Sequence, residues 1–128
     1  MTYGYQRKFN LTFDEVESRI RDTLMEQGFG IISEINIQNA MKEKLGESFR
    51  QYKILGACHP PTAHRALTEE LEIGLLLPCN VTIWENDDAT ITLSAIDAKE
   101  MLSVTGRDDL EELANQVNEW LQTAVDAV

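Results

Sequence analysis

The chain is 128 residues long, 43% hydrophobic and 26% charged, with a net charge of −11. Length and composition point to one globular domain spanning residues 1–128, and exclude both a disordered chain and one too short to build its own core. The negative charge, with no basic stripe, excludes nucleic acid and anionic membrane surfaces as partners, because both are bound through clustered Lys and Arg.

The opening "MTYGYQRKFNLTF" has no continuous apolar region or small-residue cleavage site, and no run of about 18 apolar residues occurs, so neither a signal peptide nor a membrane span is expected. A cytoplasmic location follows as the expectation, with the two cysteines as thiols. Residues 2–9 alternate, with Tyr3, Tyr5, Arg7 and Phe9 on one face of a first strand. A helix follows, opened by a capping box of Thr12 and Glu15 and carrying Phe13, Val16, Ile20 and Leu24 at helical spacing. Gly28 stands where that helix would end. A second strand is predicted over 29–37, then a short helix closed by Gly46.

A third strand is predicted over 50–59, ended by Pro60 and Pro61. A helix over "TAHRALTEELEIG" is expected to stop at Gly74. "LLLPCNVTIWE" reads as a fourth strand, with "NDDA" turning into a fifth, "TITLSAI". Asp97 and Glu100 suggest a second capping box before a short helix. The last helix is predicted over 107–126, with Leu110, Leu113, Val117, Trp120, Leu121 and Ala124 on one side. Five strands with apolar helices predict an α+β fold, a largely antiparallel five-stranded sheet packed on helices with a long C-terminal helix. The third and fourth strands read as apolar on nearly both faces, from Ala57, Leu76 and Trp84, and strands buried on both faces need a cover. A second copy of the chain would supply it, so a homodimer is expected.

No nucleotide-binding, hydrolase or zinc-protease motif is present, and no catalytic residue is assigned. The chemistry-bearing residues are concentrated in "GACHPPTAH" and "LLLPCNV". Cys58 and His59 are adjacent on a strand and so face apart, which argues against a Cys–His–His metal motif unless Pro60 has already broken the strand. Each cysteine lies beside a proline, where ladder pairing is interrupted and room for a ligand can open. His59 and the helix N-terminus beside Cys58 are the groups that would lower a thiol's pKa, and the same terminus, with Arg65 in its first turn, suits a small anion. Asn80 offers donor and acceptor next to Cys79. The leading expectation is a small ligand or metal ion bound around Cys58, Cys79, Asn80, His59 and Arg65. A thiol-dependent redox or sulfur-handling protein, with Cys58 as the reactive thiolate, is the alternative, and a structural or interaction module with core cysteines is another. No cofactor is named by these residues. Tyr3, Tyr5, Tyr52, Trp84 and Trp120 could line an apolar pocket, but at alternating or helical spacing they are read first as core or dimer-interface aromatics.

The run "YKILGACHPPTAHRALTEELEIGLLLPCNVTIWEN" resembles the domain of unknown function 302 family. The residues that carry the likeness are Gly56, Cys58 and Pro60, then Ala66 and Leu67, then "GLLLPCNV" from Gly74 through Val81. The F-x-x-V of the first helix and Ile96, Asp97 and Met101 also fit, so the resemblance covers nearly the whole chain. It implies a TATA-box-binding-protein-like α+β fold and a homodimer, and it implies no activity. Position 59 of the pattern resembles Asn, whereas this chain has His59, so His-dependent chemistry is not implied for the family as a whole. The fold name carries no DNA binding, which the charge opposes.

Overall fold

The computed structural model describes residues 3–128. Thr2, expected in the first strand, lies outside the described residues. The elements are β1 (Gly4–Phe9), α1 (Phe13–Glu26), β2 (Gly30–Asn36), α2 (Ile37–Leu45), β3 (Tyr52–Cys58), α3 (Pro60–Glu69), β4 (Cys79–Glu85), β5 (Ile91–Ile96), α4 (Ala98–Ser103) and α5 (Glu111–Asp126). The strands form one five-stranded sheet in the order β1-β5-β4-β3-β2, with every neighbouring pair antiparallel. This is the α+β arrangement with a long C-terminal helix that the element pattern predicts.

Local signals set the elements. Thr12 Oγ1 accepts from the Glu15 backbone N–H while the Glu15 carboxylate accepts from the Thr12 N–H, each at 3.1 Å, satisfying two orphan donors at the start of α1. The helix closes where Phe29 N–H reaches the Leu24 carbonyl and Gly28 N–H the Met25 carbonyl, with Gly28 at φ +87°. That left-handed turn favours glycine. Val16, Ile20 and Leu24 of α1 and Leu121 and Val125 of α5 are at most 1% exposed and pack on Leu55, Val81, Ile83, Ile91 and Leu93 of the sheet.

Residues paired across the ladder share a face. The helix-covered face therefore carries Leu55 opposite Val81, Ala57 opposite Cys79, and Phe9 opposite Ile91. Lys53 projects to the same face and donates to Glu17 of α1 at 2.9 Å, while Arg21 bonds both Glu17 and Glu34, which ties α1 to β2 and β3. Near the two chain ends, Tyr5 Oη donates to the Asp126 carboxylate at 2.8 Å and Arg7 Nη1 to the Asp126 carbonyl at 3.0 Å.

The opposite face has no helical layer of comparable extent. On it, Tyr52 and Trp84 stack with ring centroids 5.7 Å apart. The Trp84 indole N–H donates to Asn86 Oδ1 at 3.0 Å, and Asn86 Nδ2 donates to Thr92 Oγ1 at 2.8 Å. Beneath them Gly56 lets Ser33 and Pro78 close over β3: a Cβ added there would run into Ser33 Oγ and lie 2.7 Å from Pro78 Cγ.

The stretch between α3 and β4 differs from the sequence reading. The helix expected to reach Gly74 ends at Glu69, where Glu70 turns to φ −155° and a 3₁₀ turn, Leu71–Leu76, begins. The strand expected from Leu75 begins at Cys79, because Pro78 has no N–H to give the ladder. Leu76 is thus off the sheet and is no sign of a doubly buried strand; Leu71 and Leu75 point outward, 86% and 80% exposed. The last helix likewise starts with a 3₁₀ turn, Asp108–Leu110, before α5.

Candidate functional site

Where β3 ends and β4 begins, the helical layer leaves a cavity of about 250 Å³. Its wall is almost wholly carbon and includes Ala63 and Ala66 of α3, Ala98 and Met101 of α4, Val117 of α5, and Cys79 of β4. The volume comes from side-chain size. α3 presents alanines three residues apart, so they share a face, and a third alanine, Ala98 at the start of α4, lines the same space. Ile73, 1% exposed, is the one buried side chain of the 3₁₀ turn and closes another side. α4 is held by Asn118 of α5, whose Oδ1 accepts from the Ala98 N–H at 2.6 Å and whose Nδ2 donates to Asp97 at 2.9 Å.

Cys79 is 8% exposed, and burial pushes its thiol up to about 11, with the neighbouring Cys58 adding to the rise. At neutral pH it is a protonated, lipophilic wall group, not a thiolate. Cys58 is half-buried, also a free thiol, and also borders the cavity. Its pairing opposite Gly30 places it on the other pleat from Cys79, at the strand end.

His59 caps α3 with its backbone, and its ring is clamped. It stacks on Trp120 at 4.3 Å and 22°, meets Phe29 edge-on at 5.4 Å, and its Nδ1 bonds Thr62 Oγ1 at 2.8 Å. Burial lowers its pKa, which favours the neutral ring. A Cβ on Gly28 would come within 3.0 Å of Nε2, so the glycine that ends α1 also makes room for this ring.

The structure brings Cys58, Cys79 and His59 to the cavity and leaves Arg65 and Asn80 off it. Arg65 is exposed and lines a groove on the outer side of α3; Asn80 is exposed on the uncovered sheet face, opposite Gly56. At the start of α3 the prolines at 60 and 61 carry no N–H, and the Ala63 N–H is already bonded to the His59 carbonyl at 2.9 Å, so Thr62 alone has a first-turn N–H left for an anion. Among the described residues, no three His, Cys, Asp or Glu side chains are grouped so as to hold a metal ion. Sequence reasoning missed Thr62, Ala63, Ala66, Met101 and Val117. The i,i+3 alanines were the signal that space is left on that helix face. None of the aromatics singled out lines the cavity, although Trp120 backs the His59 ring. No helix among the described residues is long and apolar enough to cross a membrane.

Comparison with known proteins adds the following. A family model described as "Domain of unknown function DUF302" matches residues 5–128. The crystal structure of an uncharacterized conserved DUF302 protein from Bacillus stearothermophilus superposes with a TM-score of 0.92. The two share 23% sequence identity over 99% of this chain and 98% of that one, a likeness of fold. No curated protein matches the chain.

Proposed function

The chain belongs to the DUF302 family, and from that premise we propose that it is a binding module for a small apolar molecule, held in the cavity beside Cys58 and Cys79, and that it works as a homodimer. The observation that carries the binding reading is the cavity itself, an apolar-walled space in the helical layer beside both thiols. At about 250 Å³ it exceeds the roughly 150 Å³ that accepts a benzene ring, which scales to about ten non-hydrogen atoms. Of the two thiols, buried Cys79 is held protonated by its raised pKa, which leaves thiol redox chemistry to Cys58 alone. A shared metal draws no support from the grouping of side chains among the described residues.

Titration with ethylbenzene, followed by methyl NMR, tests this reading. The Ala63, Ala66 and Met101 methyl signals are expected to shift saturably, and Ala63→Leu, which fills the space, is expected to abolish the shifts. Unshifted cavity methyls would leave a structural or interaction module instead.

The homodimer is supported by the uncovered sheet face. Of the described strand residues that project to it, Lys8 alone is charged, in a chain of net charge −11. Two such copies repel over most of their surfaces and can approach over a face free of carboxylates.

A further inference from the structure

The cavity and a neighbouring surface groove share part of their walls beside α3. His59, Thr62 and Leu113 line the cavity on one side and, on the other, an open groove between α3 and α5. The interior is carbon. The groove is polar: Asn115 and Gln116 offer amides, and Glu112 and Glu119 outnumber Arg65. A molecule filling the cavity therefore meets its first hydrogen-bonding side chains at one place, the Thr62–His59 pair.

That pair has capacity to spare. A neutral imidazole has one donor and one acceptor nitrogen. If Nδ1 accepts from Thr62, the threonine oxygen keeps lone pairs free to accept; if Nδ1–H donates, the threonine O–H is free to donate. Either tautomer leaves Thr62 Oγ1 able to bond a ligand without breaking the 2.8 Å contact. A polar head stranded deeper in the cavity would lack a partner and bear the full cost of desolvation.

We propose that the ligand is amphipathic, with an apolar body of up to about ten non-hydrogen atoms in the cavity and a non-anionic polar head, a hydroxyl or an amine, bonded to Thr62 Oγ1 and directed into the groove. The inference rests on the binding reading above and adds its selectivity. Glu112 and Glu119 in the groove, with the net charge of −11, disfavour a carboxylate there.

Four probes with one body and different heads test it by calorimetric titration: ethylbenzene, 2-phenylethanol, 2-phenylethylamine and phenylacetate. The alcohol and the amine are expected to bind more tightly than ethylbenzene, the alcohol by about fivefold, as one net hydrogen bond supplies, and phenylacetate most weakly. Thr62→Val is expected to erase the alcohol's advantage over ethylbenzene, and Thr62→Ser to keep it. Equal affinity for alcohol and ethylbenzene in the unaltered protein, tightest binding of phenylacetate, or an equal loss for both probes in Thr62→Val overturns the head-group inference while the cavity reading stands. If none of the four binds, the cavity reading falls and this inference with it.

Discussion

A thiol whose pKa is raised from 9.0 to about 11 keeps its proton in the folded chain where the unfolded chain has lost it. Between those values the native state binds more protons than the unfolded state, so stability falls as pH rises through the window, by about 3 kcal/mol in all. The contribution is fully present below pH 9 and lost above 11. Tyrosines and lysines titrate nearby, so the measurement is a comparison: urea unfolding of the unaltered protein and of Cys79→Ala at pH 8 through 11, with the variant expected to show a shallower decline. Equal slopes would mean that Cys79 is not held protonated. The sequence placed both thiols beside prolines. It carried no indication that one would be buried under the helices and the other left half-exposed on the opposite pleat, because that depends on the register of β3 against β4. His59 shows the same limit: its neighbours Trp120 and Phe29 arrive from distant parts of the chain.

Elements whose ends are chemically marked were legible. α1 carries its capping box, its apolar spacing and Gly28 in 17 consecutive positions from Thr12, and each signal agrees with the others. The run "LEIGLLLPCNV" was misread because continuous apolar residues look alike in a helix, a strand and a turn. Leu71 and Leu75 face solvent there, against the expectation that such a run is buried. The cavity was hidden for another reason. Periodicity says which residues face inward; it does not say whether the volumes facing each other fill the space, and here alanines from α3 and α4 line one unfilled space. Close approach acts the other way at Gly56, where Ser33 and Pro78 occupy the place of a side chain. Gly56→Ala is expected to cost about 1–3 kcal/mol, as overpacking does, measured by urea unfolding. Adding Ser33→Gly should recover only part of the loss, because the Pro78 ring cannot swing away as a serine hydroxyl can. Full recovery would show that Pro78 is not the obstacle.

Across the whole molecule, charge and shape divide the surface in two. Acidic residues cover the helical side, while one sheet face carries the Tyr52–Trp84 stack and almost no charge. If two copies join there, sedimentation should give a dimer at micromolar concentration, and Thr82→Glu, half-buried in the middle of that face, should shift it to monomer by placing like charges opposite each other. A monomer in the unaltered protein would refute the assembly. The bonds from Tyr5 and Arg7 to Asp126 have a further consequence. They hold β1 against the end of α5, so that the described backbone, residues 3–128, is nearly a closed ring. In a ring no element is intrinsically first. A chain reordered to start within the exposed stretch 46–50, with a short joint from residue 128 back to 3, would keep every strand pair and every wall of the cavity. What defines this fold is which elements are neighbours, and the order in which they are synthesised is one of several that would serve.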